Sequence, residues 1–364
     1  MILESTILYL IVELLWEYKS PRSYSMGGLA ASLQDAQTSF FFNPAGMFGT
    51  KSFDIITPEI FISYDTISSA KGFAESLSDL KNQEKTISQA KKIYGKNYSA
   101  GIFTFPHFTL TVQNVSFGLG VLGGVETGTS ISVPSNITVR NAFFSTQGQV
   151  LLGSAVALLD KSLITGISVS AFKISQKAQV EIRENEVGER ITDVFPVINK
   201  KPDEILSDIL SGNCQYPLKC AIGFGGINLG VIWKPLKKGI NIGIDVRNIL
   251  DPSEKFTGDI GISYSDKLRF FNYTLGVDFQ DMFFALSEDQ SFFKRVFIGG
   301  EVSLDTTPIK RFFSVMFGLG QLYSSFGIEL NLKIISILVG TYGRELGKEA
   351  SAEQLRYYFF KLSI

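Results

Sequence analysis

Four groups of residues have types and spacings that could do chemistry. Phe40-Phe41-Phe42 runs into Asn43-Pro44-Ala45, three bulky rings beside a turn signal. Such a cluster could block an apolar passage at rest, or pack a compact segment onto a wall. Gly118, Gly120, Gly123 and Gly124 fall within seven residues. Glycine weakens a strand and marks a bend or bulge, so this cluster is a candidate lateral opening; the other reading is clearance for bulky groups. Asn228, Asp245, Arg247, Asp278, Glu301, Glu329, Asn331 and Lys361 recur at polar positions of alternating stretches. They read as a network that fixes register, with Arg247 also a natural partner for a carboxylate head group. His107, in Phe105-Pro106-His107-Phe108, is the one histidine. Hydrolysis would need it beside a serine nucleophile, and no G-x-S-x-G elbow accompanies it. No Gly-rich phosphate loop or Cys/His cluster occurs. No catalytic residue, metal or cofactor is therefore expected, and the chain reads as something other than an enzyme.

The elements that would position these groups follow from composition. The chain has 364 residues, 45% apolar, 13% aromatic and 19% charged, with 34 Gly and 31 Phe. Soluble domains carry about 25% charged residues, so charge is low here. Disorder is excluded by the apolar content. A net charge of −1 leaves no excess of cations for phosphates, so no nucleic acid partner is expected. Two cysteines make no disulfide scaffold. Closely packed glycine-bearing strands with aromatic ends suit a membrane β-barrel.

From about residue 51 the dominant period is two. Ile240, Ile242, Ile244 and Val246 alternate with Asn241, Gly243, Asp245 and Arg247; Phe271 to Phe279 and Phe326 to Leu332 repeat the pattern. Strands with one apolar and one polar face read this way. About fourteen strands are predicted, at roughly 53–64, 99–112, 115–127, 147–158, 163–176, 219–234, 240–249, 258–264, 268–279, 294–304, 309–319, 322–331, 334–344 and 354–364. Links after even-numbered strands are tight, and those after most odd-numbered strands are long, including 65–98, 128–146 and 177–218. The link near Gly320 is the exception. Sorted loops with an even strand count are the layout of an outer-membrane barrel, whose closure leaves no edge exposed to hydrocarbon.

Helical patterns fall at 70–95 and 202–210, in two of the long links, and read as lids over the barrel mouth. Cys214 and Cys220 could pair in an oxidising compartment or stay as two small apolar residues. Thr6 to Trp16 is too short to span a bilayer as a helix, and residues 1–21 read as an atypical leader or an N-terminal helix. Residues 22–50, rich in Gly and Ala, read as a hatch folded into the barrel, with 51–364 as the barrel itself.

The stretch Met26-Gly27-Gly28, then Asp35-Ala36, then Phe42-Asn43-Pro44-Ala45-Gly46-Met47 resembles the N-terminal hatch of FadL-type long-chain fatty acid transporters and the related TraF-like and PorV-like outer-membrane families. Gly225 to Pro235, Gly243 to Leu250, Gly276 to Asp281, Ile298 to Val302 and Thr341 to Gly347 are similar to that group in the same order. The last strand, with Tyr358, Phe360, Leu362 and Ile364 on one face, looks like the signal that barrel-assembly machinery recognises. The resemblance implies a monomeric fourteen-stranded barrel in a Gram-negative outer membrane, meeting outer-membrane lipids. It also implies passive, hatch-gated passage of hydrophobic, fatty-acid-like molecules, in some members by lateral exit through the wall. The alternative is a non-transporting surface or secretion-assembly scaffold.

Overall fold

A computed structural model of the chain describes residues 18–68, 97–132, 138–184, 218–236, 239–251, 254–284, 292–305, 311–345 and 354–364. Seventeen extended segments form fourteen wall strands, because three strands are each interrupted once. In chain order they are β1 (Ser52–Asp54 and Pro58–Ser63), β2 (Asn97–Thr104 and His107–Val112), β3 (Val115–Ser132), β4 (Thr138–Leu158) and β5 (Leu163–Glu184). Next come β6 (Leu218–Gly223 and Ile227–Trp233), β7 (Ile240–Ile249), β8 (Thr257–Leu268), β9 (Phe271–Phe279) and β10 (Val296–Leu304). The last four are β11 (Phe313–Gly320), β12 (Tyr323–Asn331), β13 (Ser336–Glu345) and β14 (Gln354–Ser363). Every neighbouring pair is antiparallel, and β14 closes onto β1 with Phe359 opposite Phe61. The predicted all-β, fourteen-stranded antiparallel barrel is the fold observed.

The period of two decides which side each residue faces. In β9, Phe271, Leu275 and Val277 point out, and Leu275 is 49% exposed, whereas Asp278 is fully buried inside. Ile244, Ile262, Val302, Phe317, Phe326 and Phe360 repeat this outward apolar exposure round the wall. A continuous apolar exterior over a polar interior is the inverse of a soluble core and fits hydrocarbon outside. Among the described residues no helix is long and apolar enough to cross a membrane, so the crossing is made by strands.

The loops differ from expectation in one place. The long link expected at 128–146 is mostly strand: β3 and β4 pair without a register shift from Val115–Val156 up to Ser132–Val139. β5 likewise continues to Glu184 opposite Thr138. The extensions of β3 and β4 lack a clean apolar alternation, so a hydrophobic period does not register them, whereas that of β5 carries one, Ala178, Val180 and Ile182 against Lys177, Gln179 and Glu181, inside the link expected to be a loop. The helical patterns at 70–95 and 202–210, and the Cys214–Cys220 question, fall outside the residues whose placement is described.

Residues 18–50 lie within the barrel. They form two short helices, α1 (Pro21–Ser25) and α2 (Ala36–Phe41), and a 3-10 turn (Pro44–Met47). Each begins on a side-chain cap: Ser20 Oγ accepts from Ser23 N (3.2 Å), Asp35 Oδ2 from Thr38 N (2.9 Å), and Asn43 Oδ1 from Ala45 N (3.1 Å). Helices this short gain little from their own hydrogen bonds; caps and packing hold them. The apolar core therefore sits between this segment and the wall. One part gathers Phe40 and Met47 with Phe105, Leu151, Ile164 and Ile232, and the other gathers Met26, Leu29 and Leu33 with Phe297, Met316 and Tyr342. Tyr18 to Ser20 are already buried in the lumen, ahead of the expected start at residue 22.

Candidate functional site

The wall is interrupted where β1 and β2 run side by side. Asp54 pairs with His107 and Pro58 with Thr104, leaving 55–57 and 105–106 outside the ladder. The cause is local. Pro58 and Pro106 have no N–H to give a ladder. The freed groups find other partners: Ile55 N and Ile56 N donate to the Ile364 carbonyl, Phe105 N donates to Thr57 Oγ1 (2.7 Å), and Val121 N donates to Pro106 O (3.0 Å).

Phe105 fills the inner side of this interruption and is fully buried. Phe40 meets it edge-on with ring centres 5.4 Å apart, Phe41 lies at 4.9 Å, and Tyr18 at 6.2 Å. The predicted aromatic cluster thus divides. Phe40 and Phe41 back the interruption, while Phe42 turns the other way beneath the Arg247 guanidinium at 4.4 Å, a cation–π contact.

Asn43 anchors the turn that separates them. Its Nδ2 donates to the carbonyls of Ala31 (2.6 Å), Val231 (3.1 Å) and Ile244 (3.4 Å). Pro44 and Ala45 lie directly on Gly166, and Asn43 on Gly230. A Cβ at Gly166 or Gly230 would overlap Pro44, Ala45 or Asn43.

Three of the four glycines on β3 make room for the aromatic side chains. A Cβ at Gly118 would fall on Phe40 and Met47, at Gly120 on Phe105, and at Gly124 on Phe103, whereas Gly123 has only Thr104 Cγ2 at 3.7 Å. Through all four, β3 stays paired with β4 without a shift. The ladder's break lies on the other side, where Val121 and Leu122 face Phe105-Pro106 between the two paired stretches of β2.

The polar network also divides. Asp278 Oδ2 accepts from the backbone N–H groups of Ala30 (2.6 Å) and Ala31 (2.8 Å). Arg22 of α1 pairs with Glu301, with Glu329 at 3.1 Å and with Asp35 at 3.8 Å. These contacts tie the inner segment to β9, β10 and β12. Lys361 donates to Gln37 and lies 3.9 Å from Glu59; Asn228 Nδ2 donates to the Phe40 and Phe41 carbonyls at 3.4 Å. Arg247 is held within the wall, Nη2 donating to Asp259 (2.8 Å) and Nε 3.2 Å from Asp245. Asn331 lies at the opposite, tight-turn end of β12, where its Oδ1 accepts from Lys333 N (2.9 Å).

Burial shapes the electrostatics of the inner segment. It pushes Lys19 down to about 8, against the pull of Asp259 and Asp278. Burial would raise Asp35, but the Arg22 guanidinium and the Thr38 hydrogen bonds together hold it below its usual value.

His107 lies on the inward face beside two residues the sequence did not single out. Ser52 Oγ is 2.8 Å from its Nε2, Asp54 Oδ2 is 3.3 Å from the same nitrogen, and Nδ1 donates to the Phe105 carbonyl (3.0 Å). Serine and acid converge on one ring nitrogen, whereas a relay needs them on opposite nitrogens. The trio clasps β1 to β2. Arg22, Asp35, Lys19, Asp259 and Phe105 were likewise not picked out as site residues. An Asp at a helix N-cap, Asp35, and the strand-breaking proline in Phe105-Pro106 are the signals by which two of them could have been found.

No family model and no curated protein matches the chain. Among solved structures, the toluene transporter TbuX of Ralstonia pickettii is similar over 95% of this chain and 97% of its own, at 10% identity and a TM-score of 0.52. The toluene transporter TodX of Pseudomonas putida covers 95% and 96% at 9% identity and a TM-score of 0.41. The likeness to TbuX is one of fold, and it runs nearly end to end. Closed on itself, apolar outside and built on fourteen strands around an inner N-terminal segment, the chain is an outer-membrane β-barrel.

Proposed function

We propose that the protein is a passive outer-membrane channel for hydrophobic molecules, with residues 22–50 as its hatch. One observation carries the reading. The hatch residues Phe40 and Phe41 pack on Phe105 at the point where the β1–β2 ladder is interrupted. An apolar solute that displaced these rings would reach the weakest part of the wall without crossing a polar layer. Gly118, Gly120 and Gly124 supply the clearance in which the rings sit, and the proposed lateral exit lies between that glycine stretch and Phe105-Pro106. Asp278, Glu301 and Glu329 hold the hatch from the far side, and the Asp245–Arg247 pair braces Phe42. That TbuX is a toluene transporter agrees with a small apolar solute.

The test is uptake of a neutral hydrocarbon into proteoliposomes with the hatch tethered. The Gln37 and Lys361 side chains meet where the hatch lies on β14, so Gln37→Cys with Lys361→Cys, joined by a short reducible bis-thiosulfonate linker, can tie hatch to wall. Crosslinking should abolish uptake and reduction restore it. Uptake that ignores the tether would overturn hatch gating. A second reading, a non-transporting scaffold, draws on the lumen being so fully occupied by residues 18–50; it requires no uptake in either redox state.

A further inference from the structure

The cations inside the barrel differ in how they are satisfied. Arg22, Lys173, Arg247 and Lys361 each face a carboxylate. Lys19 and Arg344 have no described carboxylate within ion-pair distance; Asp259 and Asp278 act on Lys19, and Glu126 faces Arg344, only from further off. Lys19 Nζ donates to the amide oxygen of Gln280 (2.6 Å) and lies 4.3 Å above the Phe297 ring. Arg344, half-buried at the outer end of β13, has no hydrogen bond or ion pair with any described residue.

These two cations line the same cavity. It has a volume of about 100 Å³ and lies between the inner segment and the outer ends of β10 to β13. Among the described residues no carboxylate lines it. Its walls are aromatic, with Tyr24 stacked on Tyr342 at 4.0 Å and nearly parallel, and with Phe297 and Tyr323 opposite. Gly27 and Gly28 bring bare backbone to its side.

A cation drawn out of water with carboxylates only at long range stays under-compensated, and an anion placed in direct contact with it relieves that cost. Two cations about one small space suit a carboxylate, which accepts from both. The stacked tyrosines suit a flat ring. Size argues against an acyl chain: a cavity of about 150 Å³ takes a whole benzene, so a carboxylate and the adjoining edge of one ring fill this one. We propose that this cavity binds small aromatic carboxylates of the benzoate class, with the carboxylate between Lys19 and Arg344 and the ring against Tyr24 and Tyr342. The site deepens the channel reading and rests on it for its meaning in uptake, naming an outward-facing point of solute selection.

The test is equilibrium binding of labelled benzoate to the detergent-purified full chain, with acetate and benzyl alcohol as competitors. Benzoate should saturate one site. Acetate lacks the ring and benzyl alcohol the charge, so each should compete at least tenfold more weakly. Lys19→Met and Arg344→Gln should each weaken benzoate at least tenfold, and Arg344→Lys should recover most of the loss. Where Lys19→Met disturbs the inner segment, Arg344→Gln decides alone, because Arg344 holds no described residue. Benzoate bound equally by wild type and Arg344→Gln, or acetate competing as well as benzoate, overturns the site. Toluene uptake on the same preparations separates the two readings. Uptake without benzoate binding overturns this site alone; benzoate binding without uptake overturns the channel alone.

Discussion

Phe40 and Phe105 meet edge to face with ring centres 5.4 Å apart, and both are fully buried. One belongs to α2 of the inner segment and the other to the interruption in β2. Their contact joins the element that fills the lumen to an interruption in the wall's ladder. Phe40→Ala should leave a cavity worth about 3–5 kcal/mol to the docking of the inner segment. The expected result is faster proteolysis of residues 18–50 and raised basal permeability, with the barrel itself still heat-modifiable on gels. Unchanged protease protection would show that Phe40 does not hold the segment.

Arg22 makes the second joint. It serves Glu301, Glu329 and Asp35 at once, so Arg22→Leu strands three acids in a poorly solvated lumen. Breaking a buried pair from one side costs about 3–5 kcal/mol. Hydrogen exchange of residues 20–41 should accelerate strongly in Arg22→Leu and only modestly in Arg22→Lys. Equal acceleration in both would mean that the guanidinium's three-way geometry, rather than the charge, does the holding.

Asn43 offers a sharper probe because its volume is small. It donates to the carbonyls of Ala31, Val231 and Ile244, and its Oδ1 caps the following turn. Asn43→Ala leaves buried carbonyls without a donor, at about 1–3 kcal/mol. Asn43→Asp keeps the cap but sets a carboxylate against those same carbonyls, and should destabilise more than alanine. Differential exchange at residues 30–47 ranks the two.

Docking of the inner segment should depend on pH at both ends of the range. Asp35 is held below its ordinary value in the docked state, so its contribution is present at neutral pH and is lost as pH falls through the docked value. Lys19 is pushed from 10.5 down to about 8. Between those values the released segment binds a proton that the docked one does not, so docking strengthens as pH rises from about 8 to 10.5. Protease protection of residues 18–50, measured from pH 3 to 10, should therefore fall in acid and climb in mild alkali. Lys19→Met should flatten only the alkaline limb.

Much of the wall was legible locally. The alternation of Phe271, Leu275 and Val277 with Asn272, Gly276 and Asp278 is settled within one strand, because successive residues must face opposite sides. So are the tight turns, such as Gln113-Asn114, where Gln113 takes a positive φ of 54°. The extensions of β3 and β4 were not legible, since they show no clean hydrophobic period, while the alternation of Ala178, Val180 and Ile182 in β5 was there to be read.

The candidate site was legible in kind rather than in pairing. Phe40 to Ala45 announced a bulky turn, and Asp278, Glu301 and Glu329 announced inward acids. By itself the sequence determined an all-β barrel wall, which residues face lipid and lumen, and a Gly/Ala-rich segment able to approach backbone closely, because each depends on near neighbours. That Arg22 answers Glu301 from 279 positions away was decided only by the tertiary structure. So was the division of three adjacent phenylalanines, Phe40 and Phe41 toward the interruption and Phe42 toward Arg247. The physical reason is closure: joining β14 to β1 bends the sheet into a tube, and only then do distant strands and the inner segment share one poorly solvated interior in which every charge and ring must find its partner.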